Sequence, residues 1–430
     1  MGGVMGPVIL IGGLFLLIMI NVPVAYALGL AAVAATLWIG IPAEAVMLKA
    51  SDGVDDFALL AIPFFVLAGA IMAQGGIAVR LVNLANVFVG FIRGGLAMVN
   101  ILASMFFGGI SGSSVADTSS IGTIMIPMMK RQGYDDAFSV NVTITSSTQG
   151  IIIPPSHNAI IYAYAAGGTV SIAQLFLAGI IPGIMVGLGL MILTYILSVR
   201  RDYPKGELVP LGEAARTMAG AFLGLMTVVI IVGGVIFGIF TATESASIAV
   251  IYAFLVAAFG YRELHWREMP AMMVEVTRTV AMVMILIGFA SSFAYLMTLM
   301  QIPAKVTSFF LTVSDNKIVI LLLINLMLLV LGMFMDMAPL ILICTPILLP
   351  VIKTLGVDPV HFGIVMMLNL GIGLVTPPVG TTLFVGCAIG KVRVDEVARA
   401  LWPFWLTMFI VLMLVTYVPE LSMAIPRMLY

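Results

Sequence analysis

Charge is scarce along this chain. Only 9% of its 430 residues are Asp, Glu, Lys or Arg, against roughly 25% in a soluble domain, which excludes a water-soluble globular protein. The longest polar stretch, around Arg200–Arg216, falls short of the ~50 residues that a small soluble domain needs. There are three histidines and two cysteines. No His-x-x-x-His helix, Walker loop or nucleophile–base pair is present, so the chain is not read as an enzyme or an ATPase. Cys344 and Cys387 lie in apolar surroundings and are expected to pack, not to form the disulfide of an oxidising exterior. A net charge of −1 without a basic cluster leaves no footprint for nucleic acid. The N-terminus has no basic residues ahead of its apolar run and reads as a first membrane span, not as a cleaved signal.

What is abundant is apolar sequence, at 62% hydrophobic and a mean hydropathy of +1.20. Runs of about 20 apolar residues suffice to cross a bilayer. Spans are placed at 6–21, 22–40, 56–73, 135–165, 171–198, 217–238, 241–261, 270–300, 358–390 and 400–420. Two stretches, 95–130 and 317–353, are too long for one span and too short for two. Each has a polar or glycine-rich centre, Gly108–Ser114 in the first and Asp336–Pro339 in the second. Both read as re-entrant hairpins. Two weakly amphipathic stretches, 77–92 and 304–313, precede them and suit helices at the membrane interface.

One sequence event occurs twice. Gly150–Asn158 contains Pro154-Pro155 and Gly373–Thr381 contains Pro377-Pro378, 223 positions apart (377 minus 154). The same offset relates Gly109 to Gly332 and Pro127 to Pro350. With the first hairpin opening to the cytoplasm, thirteen basic residues fall inside, five fall outside and Arg278 sits near a helix end, as basic residues prefer. Five spans separate the hairpins, so the second opens to the opposite face. The chain is an all-α polytopic membrane protein with an inverted repeat, five spans plus one re-entrant hairpin per half. The halves are 1–198 (hairpin 95–130, broken helix 135–165) and 217–430 (hairpin 317–353, broken helix 358–390), joined by a cytoplasmic linker at 199–216. Such repeats place a transporter's site at their interface.

The residues at the breaks have chemistry to match. Proline removes a backbone donor and clashes with the preceding turn, so carbonyls at Gly150–Ile153 and Gly373–Thr376 are freed to hold a small cation. Half-helix N-termini beyond each break offer N–H groups to an anion. The tip Ser111-Gly112-Ser113-Ser114 supplies neutral oxygens on flexible backbone, a set that suits sodium better than a transition metal. Ser114 and Asp117 are also spaced to cap the following helix. The run Thr143–Gln149 leads into the first break and suggests a polar cavity. Asp117, Glu244 and Asp336 are ionisable groups in apolar surroundings, hence candidate functional residues. Thr241-Ala242-Thr243-Glu244 spells a capping box, which favours a structural role for Glu244, and Asp336 suits an N-cap. His157 follows the first break directly. His265 and His361 read as loop and span-edge residues.

Taken together, Gly109–Asp117 with Ile126-Pro127, Gly150–Asn158, Gly238–Glu244, Gly332–Pro339 and Gly373–Gly380 resemble the large membrane subunit of a TRAP (tripartite ATP-independent periplasmic) transporter, over essentially the full length. The resemblance implies sodium-driven import of an acidic organic solute across a bacterial inner membrane, with about two or more Na+ ions carried along. It implies a periplasmic binding protein that delivers the solute, a separate small membrane subunit of four spans, and an elevator mechanism with scaffold and transport domains. Two sodium sites follow, one at Ser111, Ser113 and Ser114 with Gly150 and Pro154, the other at Gly332 and Asp336 with Gly373, Thr376 and Pro377. Solute is expected near Ser113, Ser156, His157, Asn158, Gly380 and Thr381. Ser156-His157-Asn158 departs from the apolar residues of dicarboxylate-type members, which brings sialic acid or another sugar acid forward beside a dicarboxylate. The alternative is a proton-coupled or uncoupled organic-anion carrier, with Asp117 or Asp336 titrating.

Overall fold

The computed structural model describes residues 5–430, Ile110 by its backbone alone. Residues 1–4, the start of the first half as read above, lie outside the described residues. Among the described residues the regular elements are all helical, and one isolated bridge joins Arg93 to Lys205.

Among the described residues, six helices are long and apolar enough to cross a membrane: Phe57–Gln74, Ile172–Arg200, Leu211–Ile236, Ala242–Gly260, Met269–Leu299 and Met337–Thr354. Val394–Ala400 and Trp402–Tyr417 add a seventh if this pair, bent by 54°, is counted as one. The ten spans placed from hydropathy are therefore not ten long helices. Several of the placed spans are shorter helices, Met5–Met19 for 6–21 and Val24–Ile39 for 22–40. Local breakers explain the division: Asn21 takes φ 67° and Gly40 takes φ 76°, left-handed values that end a helix.

The two stretches with polar centres each form helix–turn–helix. The first consists of Gly95–Ser111 and Ser114–Arg131, turning at Gly112 with φ 62°. The second consists of Lys317–Gly332 and Met337–Thr354. Ile77–Val89 and Ile302–Val313 are the short helices that precede them. Each hairpin is followed by an interrupted helix. Asp136–Ser147 tightens into a 3-10 turn at Thr148–Ile151, breaks, and resumes as His157–Ala165. Pro359–Gly373 breaks and resumes as Thr381–Gly390. The Pro154-Pro155 and Pro377-Pro378 bonds are both cis.

Around these elements, Met269–Leu299 packs against Val24–Ile39 and Glu44–Val54. Close approach is possible there because Gly29 faces the Phe289 ring and Gly53 faces Ser291. Tyr164 ties this region to the first interrupted helix by donating to the Gly53 carbonyl at 2.6 Å and pairing with Ser291 Oγ at 2.7 Å. Between Arg200 and Leu211 the chain is not slack. Tyr203 packs on Tyr134 and Phe138, with ring centroids 4.5 and 5.0 Å away. The Pro204 carbonyl accepts from Gly94 N–H at 3.0 Å, and Arg93 pairs with Asp202.

Candidate functional site

Each hairpin turn meets an interrupted helix through glycine. A methyl group on Gly108 would collide with the Gly150 backbone, and one on Gly150 would lie 2.7 Å from Gly108 Cα. In the second half, a methyl on Gly373 would sit 2.7 Å from Gly332 Cα. Only hydrogen fits at these crossings, which brings the turn within reach of the break. Gly109 lies against the Pro154 carbonyl, and Gly112 against the Pro155 carbonyl and His157 Nδ1. The turn Gly108–Gly112 is thus brought beside Gly150, Pro154 and His157. Val379 N–H donates to the Met333 carbonyl at 3.1 Å, which fastens the second turn to the second break.

Capping at the first turn differs from the expected Ser114–Asp117 box. Ser113 is the N-cap of Ser114–Arg131, its hydroxyl accepting from Ala116 N–H at 3.4 Å. Ser111 Oγ donates to the Ser113 carbonyl at 3.3 Å. Ser114 is instead buried, because its position in the first turn faces the neighbouring helices. Its hydroxyl bonds Ser147 Oγ at 2.9 Å, and Thr382 Oγ1 donates to it at 3.0 Å. Thr118 Oγ1 also donates to Ser147, at 2.7 Å. This chain of four buried hydroxyls joins the first turn to the helix that starts after the second break. It joins Ser114 to Thr382, the neighbours in sequence of Ser113 and Thr381.

The remaining candidates fall as follows. Ser156 is buried, and its hydroxyl donates to the Ile151 carbonyl at 2.5 Å, spanning the break from within. His157 is half-buried beside Gly112, and Asn158 is buried. Gly380 holds φ 41° and accepts no methyl without crowding the Thr376 and Leu374 carbonyls. Thr381 Oγ1 is buried without a partner. Thr376 Oγ1 donates to the Ile372 carbonyl at 2.6 Å and accepts from Trp405 Nε1 at 3.1 Å. Carbonyls before the second break are not all free: Gly373 accepts from Thr376 N–H, and Leu374 from Thr382 and Leu383 N–H. Asp336 caps Met337–Thr354 at its exposed turn, its Oδ1 accepting from Met337 N–H at 2.9 Å.

Thr241 and Glu244 form the expected capping box, with Thr241 N–H donating to Glu244 Oε2 at 2.8 Å. His361 lies in the first turn of Pro359–Gly373, at the span edge as read, and is buried there, bonded through Nδ1 to Ser422 Oγ at 2.7 Å, because the C-terminal helix Glu420–Leu429 covers it. Cys344 and Cys387 are buried and free. Residue-by-residue reading missed Thr118, Thr382 and Trp405. Thr382 had one signal, its place directly after Thr381. Trp405 had none, since its bond to Thr376 depends on helix packing.

Comparison with known proteins places the chain in a family. A family model described as "Tripartite ATP-independent periplasmic transporter, DctM component" matches residues 11–421. The "Uncharacterized protein YgiK" of Salmonella typhimurium is 45% identical over 98% of both chains. The C4-dicarboxylate TRAP transporter large permease protein DctM of Pseudomonas aeruginosa is 40% identical over 89% of both. The sialic acid TRAP transporter large permease protein SiaM of Vibrio cholerae is 39% identical over 87% of this chain and 88% of its own. Among solved structures, the Alcanivorax borkumensis YdaH transporter superimposes with a TM-score of 0.65 over 86% of each chain, at 13% identity, a likeness of fold. The chain is a multi-pass membrane protein of the permease class, not an enzyme. It belongs to the DctM component family of tripartite ATP-independent periplasmic transporters.

Proposed function

We propose that this chain is the large subunit of a sodium-coupled transporter that imports an organic acid across a bacterial inner membrane. A periplasmic binding protein would hand over the solute, and a small membrane subunit would complete the assembly. The observation that carries this reading is the paired apposition of hairpin turn and helix break, at Gly108–Gly150 and at Gly332–Gly373. Elements correspond across the same 223-residue offset: Ser114–Arg131 maps onto Met337–Thr354, and Asp136 onto Pro359. We read this as an inverted repeat whose hairpins and interrupted helices move together as an elevator. Sodium would bind where oxygens gather: at Ser111, Ser113, Ser114, Gly150 and Pro154, and at Gly332, Asp336, Gly373 and Thr376.

The solute would lie between, in reach of Ser113, Ser156, His157, Asn158, Gly380 and Thr381. Half-helix N-termini at His157 and Thr381 face such a carboxylate with N–H groups and a favourable dipole end. The relatives named for C4-dicarboxylate and for sialic acid are about equally similar, at 40% and 39%. The polar Ser156-His157-Asn158 favours a hydroxylated sugar acid. The test is uptake of radiolabelled sialic acid and succinate into vesicles carrying the full assembly. Ser113→Ala with Ser114→Ala is expected to abolish sodium-dependent uptake while membrane expression persists. Normal uptake by that variant removes the first sodium site.

A further inference from the structure

Thr376 stands directly before Pro377-Pro378, and its hydroxyl has partners on two different helices. It donates to the Ile372 carbonyl at 2.6 Å and accepts from Trp405 Nε1 at 3.1 Å. A hydroxyl carries one hydrogen and two lone pairs, so a single lone pair is left over. Bonding back to a carbonyl one turn earlier is open to two threonine rotamers. The indole selects between them, because its N–H reaches the oxygen from a separate helix, Trp402–Tyr417. The donor is itself held in place. Trp405 is half-buried, and its ring lies almost parallel to Trp402 and Phe409, about one turn to either side on the same helix. Interplanar angles are 8° and 7°, with centroids 5.6 and 5.1 Å away. Such aromatic pairs stabilise each other beyond the area they bury, so turning the indole would disturb both stacks.

Packing alone does not call for an indole here. The 223-residue offset carries Trp405 and Leu406 back to Pro182 and Gly183 of Ile172–Arg200 (405 minus 182), and Thr376 back to Ile153. In that half the contact is apolar, with Gly183 lying against the Ile153 side chain. Matching helices therefore approach matching breaks, yet the second approach is made through a hydrogen bond to a hydroxyl at the break.

We infer that Trp405 is a positioning residue for the second sodium site, its N–H fixing the Thr376 hydroxyl so that the remaining lone pair is offered to the ion in one orientation. This role rests on the sodium-coupled reading above, in which Thr376 is a ligand. Outer partners that orient a ligand govern the affinity of an ion site. An ion that draws on the Thr376 oxygen also weakens the bond that this oxygen accepts, so the emission of Trp405 reports its arrival.

The test is equilibrium binding of radioactive sodium to the chain purified with its small membrane subunit. Wild type, Trp405→Phe, Thr376→Val and the double variant are compared. Trp405→Phe keeps a ring in the stack and removes the donor. It is expected to preserve the number of ions and to bind one of them about two- to tenfold less tightly, the range set by the net worth of one hydrogen bond. In the Thr376→Val background the same change is expected to have no further effect, as coupling between the two residues requires. Unaltered affinity in Trp405→Phe, or an equal loss in the Thr376→Val background, overturns the role while leaving sodium coupling intact. A wild type that binds no sodium overturns both readings. Fluorescence decides should Trp405→Phe fail to assemble. The other three indoles, Trp38, Trp266 and Trp402, are exposed, and replacing them with Phe leaves Trp405 as the sole emitter. Sodium, but not choline, is expected to shift its emission, and an unmoved emission overturns the proposal.

Discussion

Replacing Gly150 by alanine tests the crossing on which the proposed ion site depends. The added Cβ would lie 2.7 Å from Gly108 Cα, whereas ordinary contact begins at 3.4 Å. The obstructing atom is backbone, so no rotamer change relieves it. The two segments must separate by at least about 0.7 Å, the scale at which packed atoms lose a quarter to a half of their dispersion attraction. Overpacking of this kind costs about 1–3 kcal/mol. The shift also withdraws the Ser111–Ser114 oxygens from the break. A ligand that binds only the folded state stabilises by RT ln(1 + [L]/Kd), about 2.7 kcal/mol at a hundredfold excess. Thermal unfolding of the assembly in sodium against choline, at equal ionic strength, reads both effects. Gly150→Ala is expected to lower the midpoint in choline and to shrink the sodium-specific rise. Gly233→Ala, where the added methyl meets nothing within 4 Å, is the control and should preserve the rise. A Gly150→Ala assembly with wild-type midpoint and full sodium response would refute the crossing as drawn.

Two further outcomes follow from other parts of the molecule. Thr241→Ala removes the capping box at the start of Ala242–Leu255 and should cost about 1 kcal/mol, while the sodium dependence of uptake stays unchanged; altered sodium dependence would give Glu244 more than a structural part. Gln149 is fully buried with both ends of its amide unpartnered, so Gln149→Met should raise thermal stability by about 1–3 kcal/mol, and uptake lost in the stabilised variant would assign the amide to the transport path.

The elements most legible from sequence are those with local causes. A Pro-Pro pair interrupts a helix wherever it falls, since the missing N–H and the ring clash act within one turn. Both breaks appear where those pairs stand, before His157 and before Thr381. The Thr241–Glu244 box is equally local, involving partners three residues apart. Ser113 and Ser114 show the limit of such reasoning. Both serines are competent caps by type, and the choice turns on which of them the surrounding helices bury. Hydropathy placed span ends at 21 and 40, where Asn21 and Gly40 take left-handed φ and end their helices, but it could not give helix length.

By itself, then, the sequence determined that this chain lives in a membrane, that it contains one event twice, and that small oxygen-bearing residues stand at each event. Scarcity of charge, proline chemistry and helix capping act over a few residues or over the whole composition, and either can be read from a string of letters. Tertiary structure alone decided which of those residues touch. Ser114 meets Thr382 across 268 positions, Trp405 reaches Thr376, and Gly108 lies against Gly150. It also decided that Asp117 is buried instead of capping its helix. Contacts of this kind come from the packing of several helices at once, and no short segment of the chain carries enough of the energy to specify them.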